Sequence, residues 1–390
     1  MFARIWQGRL GGLRLIMLLA VFGLVAIGLL SLRGIEDKSH IWFPRQLQWL
    51  VISIAVFLLL NLIPYNHLGR ISYVLFGITL GMLILIMIGK YLFPMSFIPQ
   101  RNGAHRWIDL GPVQLQPSEL SKLTYIFALA WYLRLRKNFR NLTGLIGPFA
   151  LTLLPMLLIL WEPDLGTVLL FLPLLFSMLF VAGARIGHLA AIIGIGLLVS
   201  PVFYFSLSNY QRDRILGLIQ QDPTNAEWVQ GVGYHLHRSK IYIATGELTG
   251  YAEEPVPEEG VVTRIPYLPE EHNDFIFARI AHTWGFFGAL LVIMLYTLLI
   301  IGGIEIAAHQ VEPFGRLLAV GISTLFAIQV FINIGMTMGL MPVTGLNLPF
   351  VSYGGTSLLC NFIALGILVN VARYRPYQLG PKAFEFRDGY

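Results

Sequence analysis

Long apolar runs separated by short polar segments fill most of the chain between residues 15 and 372. A helix needs about 20 apolar residues to cross the hydrocarbon of a bilayer. Ten stretches read as such helices: about 15–32, 47–64, 71–89, 120–133, 145–161, 167–182, 187–206, 275–302, 315–335 and 357–372. The fourth is short if it begins at Leu120. Lipid-facing barrel strands would show brief alternating segments instead. The pattern predicts an all-α, polytopic membrane protein with about ten transmembrane helices. An even count puts both termini on one side. No internal repeat supports the inverted-repeat plan of many transporters.

Composition narrows the class. Only 12% of the 390 residues are charged and 56% are hydrophobic. Soluble domains carry roughly a quarter charged residues. A soluble enzyme, a secreted disulfide scaffold and a disordered chain are therefore excluded. The lone cysteine, Cys360, sits in an apolar run and leaves no disulfide framework. Leu15–Leu32 is too long for a signal-peptide core, and no small-residue cleavage site follows, so no cleavable leader is expected.

The net charge of +6 raises the question of nucleic acid, but the basic residues are spread over many short loops. They read as topology determinants. With both termini inside, 14 of the 27 Lys and Arg fall on inner segments. Six of the other 13 lie in the long 207–279 stretch, which is discounted because long loops translocate regardless of charge. The remaining balance of 14 to 7 predicts cytoplasmic termini. The chain then reads as one membrane domain, 1–390. It has a large extracytoplasmic loop at 207–274, between helices 7 and 8, and a cytoplasmic tail at 373–390.

Polar residues concentrate in three outer stretches: 90–122, 207–279 and 336–356. In the first, Pro117, Ser118 and Glu119 read as a helix start, with Ser118 as cap. Glu119 and Lys122 share a helix face. Lys122 is either a snorkelling lysine paired with Glu119 or a cation that receives an anionic substrate group. Arg101 and Arg106 lie just upstream. Glu162 and Asp164 flank a tight turn between two apolar spans, where two acids beside hydrocarbon are rarely idle.

The 207–279 stretch carries Gln211, Arg212, Arg214, Arg238 and Lys240. Those cations suit either lipid headgroups or a pyrophosphate. His235 and His237 lack a third ligand in a recognised spacing, so no structural metal is expected. Asp274 is the last acid before an apolar run. It reads either as a helix-start acid or as a general base at the membrane border. In the third stretch, Gly, Pro and small hydroxyl residues suit irregular backbone at membrane depth. There, Ser352 and the amides near Gly354 and Gly355 could donate to an anion. No GxSxG, Walker or HExxH motif occurs.

Six motifs in one order resemble the SEDS family of bacterial membrane proteins, over almost the whole chain. They are Gly103-Ala-His-Arg-Trp-Ile with Gln116-Pro-Ser-Glu, Glu162-Pro-Asp-Leu-Gly-Thr, and Tyr210-Gln-Arg-Asp-Arg-Ile. Gly233-Tyr-His with Ser239-Lys-Ile follows, then Pro269-Glu with Asp274-Phe-Ile-Phe-Ala, and Pro342-Val-Thr-Gly with Pro349-Phe-Val-Ser-Tyr-Gly-Gly. Asn333-Ile-Gly-Met and Leu348-Pro-Phe-Val look like the family's RodA branch.

The resemblance implies a peptidoglycan glycosyltransferase of the bacterial inner membrane. It would polymerise lipid II during elongation, in a complex with a class B penicillin-binding protein that acts as transpeptidase. Asp274 matches the family's essential aspartate. Lys122, Glu119, Ser118, Arg101, Arg106, Gln211, Arg214, Lys240 and Ser352 are the expected substrate-binding residues. A divalent cation, Mg or Mn, is the one cofactor that would assist, with no organic cofactor and no nucleic-acid partner. The competing classes are a lipid II flippase and a non-catalytic scaffold of the wall-synthesis complex.

The chain departs from the family in places. Ala244-Thr-Gly-Glu-Leu replaces a Gly-Ser-Gly-Gly-Leu run, and four glutamates crowd 253–259. His282 and Thr283 stand where the family often has two acids. Arg238 replaces a common Gln.

Overall fold

The computed structural model describes residues 2–35, 39–92, 95–101, 104–111, 113–136, 141–207, 209–251 and 268–373. The acidic 253–259 segment and the tail beyond Arg373 lie outside the described residues. A helix stands at each of the ten apolar stretches. These are α1 (Phe2–Arg33), α2 (Ser39–Leu60), α3 (Asn66–Tyr91), α4 (Pro117–Leu133), α5 (Leu142–Trp161), α6 (Leu165–Val181) and α7 (Ile186–Ser206), then α11 (Ile276–His309), α12 (Pro313–Met338) and α13 (Gly355–Arg373). Three shorter helices, α8 (Asn209–Ile219), α9 (Ala226–Gln230) and α10 (Tyr234–Thr245), precede α11. Among the described residues, seven helices are long and apolar enough to cross a membrane: α1, α2, α3, α5, α11, α12 and α13. The chain is a multi-pass helical membrane protein.

The fold is not purely helical. Four two-residue strands form two antiparallel pairs before α4, Gln100–Arg101 (β1) with Ala104–His105 (β2) and Ile108–Asp109 (β3) with Gln114–Leu115 (β4). Segments this short carry no periodicity that a sequence pattern could register.

Helix α4 lies at the centre, with 14 of its 17 residues buried. Lipid offers no hydrophobic drive between helices, so interhelical hydrogen bonds matter there. Thr124 meets Thr79 of α3 at 2.8 Å, and the Tyr125 hydroxyl meets Thr152 of α5 at 2.8 Å. By contrast, α2 exposes most of its apolar surface, as a lipid-facing helix does.

Helix α11 breaks at Gly285, where φ is +65°, a conformation that favours glycine. The backbone that follows α10 fills the break. Phe286 N donates to Glu247 O at 2.9 Å, Phe287 N to Leu248 O at 3.3 Å, and Tyr251 N to His282 O at 2.8 Å. These bonds replace helix bonds lost at the kink. A Cβ on Gly285 would stand 2.4 Å from Gly250 N, so the approach admits no side chain.

Candidate active site

Asp274 ends a turn that leads into α11. Asn273 N and Phe275 N both donate to Glu270 O, at 3.1 and 3.3 Å. Three contacts from distant elements hold this turn. Asn333 Nδ2 of α12 donates to Asp274 O at 3.0 Å, Ser352 Oγ donates to Asn273 O at 2.6 Å, and Tyr353 N donates to His272 O at 2.9 Å. The helix cap is Phe275, with no side-chain cap bond. Asp274 therefore is not the capping acid of α11, and its carboxyl is left for other work.

Charges from four elements act on that carboxyl. Burial, aided by the Glu270 carboxylate, pushes its pKa up to about 7 against the opposing pull of Arg214 and Arg106, with Asp164 adding a further upward push. Gly345 closes the site from the other side at φ +77°. A Cβ there would lie 3.4 Å from Asp274 Oδ2 and 3.8 Å from Arg214 Nη1. Backbone thus approaches the acid and its cation without a side chain between them.

Arg106 comes from the strand-bearing loop and binds the end of α5. Its Nε donates to Glu162 O at 2.9 Å and its Nη2 to Pro163 O. Lys90 Nζ donates to Trp161 O at 3.0 Å, so two cations meet the exposed carbonyls of one helix end. The Glu162 side chain is buried beside them, and neither carboxyl oxygen has a hydrogen-bond partner among the described residues. Burial, then the Asp164 carboxylate, raises its pKa well above the usual range, with Arg106 and Lys90 opposing. Asp164 caps α6 and is committed: it accepts from Thr167 N at 3.2 Å and Thr167 Oγ1 at 2.9 Å.

Several expected site residues are placed differently. Ser118 does not cap α4, because the cap is Gln116, with Pro117 as first helical residue. The Ser118 hydroxyl reaches Asp164 Oδ2 at 3.4 Å instead. Glu119 and Lys122 form an ion pair of 2.7 Å, with side chains 7% and 2% exposed. Lys122 is thus buried and paired, not snorkelling. Ser352 cannot serve an anion: its hydroxyl donates to Asn273 O and accepts from Leu348 N at 2.8 Å. Gly354 N is likewise taken, by Gln46 Oε1 at 3.2 Å.

Lys240 donates to Gln221, and the two pack at Gly339, the left-handed end of α12. Gln211 is buried in α8. The Arg101 side chain lies outside the described residues. Arg106 and Arg214 are the expected cations whose charges act on Asp274.

Sequence reasoning missed Asn333, Gly345 and Glu270 as parts of the site. It also missed His235, which stacks on Phe275 with ring centroids 6.1 Å apart and planes 9° from parallel. Burial and Arg214 push the His235 pKa down, against Glu270. The short motif around Asn333 and the Thr344-Gly345 step were visible, but their roles depend on partners far along the chain. No group of three or more His, Cys, Asp or Glu that could hold a metal ion occurs among the described residues.

Fold and site define a multi-pass membrane protein in which two desolvated acids, Asp274 and Glu162, meet the charges of cations where its helices end. Comparison with known sequences makes this more specific. The chain belongs to the family described as "Cell cycle protein", that of FtsW, RodA and SpoVE, whose sequence model matches residues 12–377. It is 33% identical over 381 residues to "Probable peptidoglycan glycosyltransferase FtsW" of Bacillus subtilis, covering 95% of this chain and 92% of that one. It is 36% identical over 279 residues to "Peptidoglycan glycosyltransferase MrdB" of Escherichia coli K12, covering 70% and 72%. Among solved structures, it resembles a chain from work on the coordination of polymerization and crosslinking by a peptidoglycan synthase complex. There the TM-score is 0.75 at 30% identity, covering 92% and 96% of the two chains.

Proposed function

We propose that this chain is a peptidoglycan glycosyltransferase that extends glycan strands from lipid II during cell elongation. Named glycosyltransferase relatives at 33% and 36% identity support the reaction class. The observation that carries the mechanism is the Asp274 carboxyl, desolvated to a pKa of about 7 with Arg214 and Arg106 acting on it. A general base works best when its pKa lies near the working pH.

The step is a single inverting displacement, with a sugar hydroxyl in place of the water of an inverting glycosidase. Asp274 takes the proton of the acceptor hydroxyl. That oxygen bonds to the anomeric carbon of the donor, and the bond from this carbon to the lipid pyrophosphate breaks. The electron pair leaves on the pyrophosphate, whose charge Arg214 and Arg106 stabilise. Arg106 spends two N–H groups on the Glu162 and Pro163 carbonyls that follow α5, and a guanidinium carries five. Lys240 and Gln211 serve the same outer face. A divalent ion, Mg or Mn, would be held chiefly by the phosphates, since Asp164 is committed to Thr167. It would add positive charge at the leaving group.

In this reading the chain crosses the bacterial inner membrane ten times with both termini cytoplasmic. The 207–274 stretch and the turn that carries Glu162 and Asp164 lie outside. A class B penicillin-binding protein of the elongation complex is the partner, a reading supported by the likeness to a peptidoglycan synthase complex.

The test is to purify the chain with that partner, supply labelled lipid II and read strands on a gel. Polymer is expected from the wild type and none from Asp274→Asn. Polymer from the variant would overturn the site. No polymer from either, with lipid II flipping in a separate assay, would overturn the reaction.

A further inference from the structure

Gln329 and Asn333 of α12 stand four residues apart and share one helix face. Both are buried, at 1% and 0% exposure. Asn333 commits its Nδ2 to the carbonyls of Asp274 and Leu346, at 3.0 and 2.6 Å. Its Oδ1, and both Oε1 and Nε2 of Gln329, have no hydrogen-bond partner among the described residues. Buried polar atoms in folded proteins are almost always satisfied. Within a bilayer the surrounding lipid cannot do it.

The three atoms comprise two acceptors and one donor group. A cation would use only the acceptors, and an anion only the donor. Water offers both donors and acceptors and matches the mixed set. We propose that Gln329 and Asn333 form a buried water site in α12, and that through it Gln329 is a positioning residue for Asp274. The water accepts from Gln329 Nε2 and donates to Asn333 Oδ1. The Asn333 amide is thereby fixed with Nδ2 toward the two carbonyls. The same side of α12 continues to Met336, whose sulfur receives the Thr344 hydroxyl at 3.5 Å, next to Gly345. The positioning role rests on Asp274 as the base. The water site does not.

X-ray hydroxyl-radical footprinting labels side chains beside bound water as well as those open to solvent. Met336 is 0% exposed, and so is Met178 of α6, which packs against Gly321. In the full chain with its partner, Met336 is expected to oxidise at least five-fold faster than Met178. Gln329→Leu is expected to bring Met336 to the Met178 rate. It should also lower kcat for strand synthesis about ten-fold, with KM within two-fold. Equally slow labelling of both methionines in the wild type overturns the water site, whether or not the variant folds. Fast Met336 labelling with unchanged kcat in Gln329→Leu overturns the positioning role. Absence of polymer from the wild type would overturn the transferase reading, and the positioning role with it, while the labelling result stands.

Discussion

Lys122 and Asp274 are both ionisable groups held away from bulk water, and the chain holds them in opposite ways. Lys122 is answered within its own helix, by Glu119 one turn earlier at 2.7 Å. Asp274 has its backbone fixed by α12 and its turn fixed by Ser352 and Tyr353, while its carboxyl meets charges from several elements. An acid matched inside one helix keeps its neighbour's charge in place. An acid whose peptide is braced from elsewhere, with its carboxyl unmatched by a single partner, is poised for proton transfer. The contrast separates support from chemistry more clearly than burial does.

The largest effect should come from the chemistry side. Asp274→Asn is expected to lower strand synthesis by about 10²–10⁴-fold, the usual contribution of a general base, in the lipid II gel assay. On the support side, Lys122→Met alone should cost about 3–5 kcal/mol in thermal or denaturant unfolding, because it leaves Glu119 charged and buried. The double variant Glu119→Leu with Lys122→Met should recover most of that loss. Polymer from the folded double variant would confine Lys122 to bracing. Its loss there would give Lys122 a role at the pyrophosphate.

Acid titration sharpens the same comparison. The base must be ionised to accept a proton, so kcat/KM should fall about ten-fold per pH unit as pH drops below about 7. Stability should move the other way. Between pH 3.8 and about 7 the folded carboxyl binds a proton that the unfolded one has lost, so Asp274 favours folding as pH falls through that window. Asp274→Asn should therefore melt higher than the wild type at pH 8, by a smaller margin at pH 5, and no higher below about pH 3.8. The smallest effect concerns Glu247, which stands at φ +44° where the resembled family has glycine. Glu247→Gly should raise unfolding stability by about 0.5–1 kcal/mol.

The apolar runs located the helices because length and hydropathy are local properties. The centrality of α4 was less legible: its apolar run is short and polar residues open it, yet it is the helix that others surround. Asp274 was legible from its motif and from its position before an apolar run. Its supports were not. Asn333 reaches a carbonyl 59 residues away, and Ser352 one 79 residues away. Ser118 has the chemistry of a cap and sits two residues too late to be one, because Gln116 is the cap and Pro117 occupies the first helical position.

The break in α11 also bears on how the chain can vary. Tyr251 N is tied to His282 O beside the break, and Leu268 is fully buried in a cluster with Tyr242, Phe275 and Ala278, so the chain is anchored on both sides of residues 252–267. Length added between such anchors is a question of loop entropy, and each doubling costs only about 0.6 kcal/mol. This is a natural place for lineages to acquire or shed residues, or for an engineer to graft a tag, while the reaction centre keeps its shape.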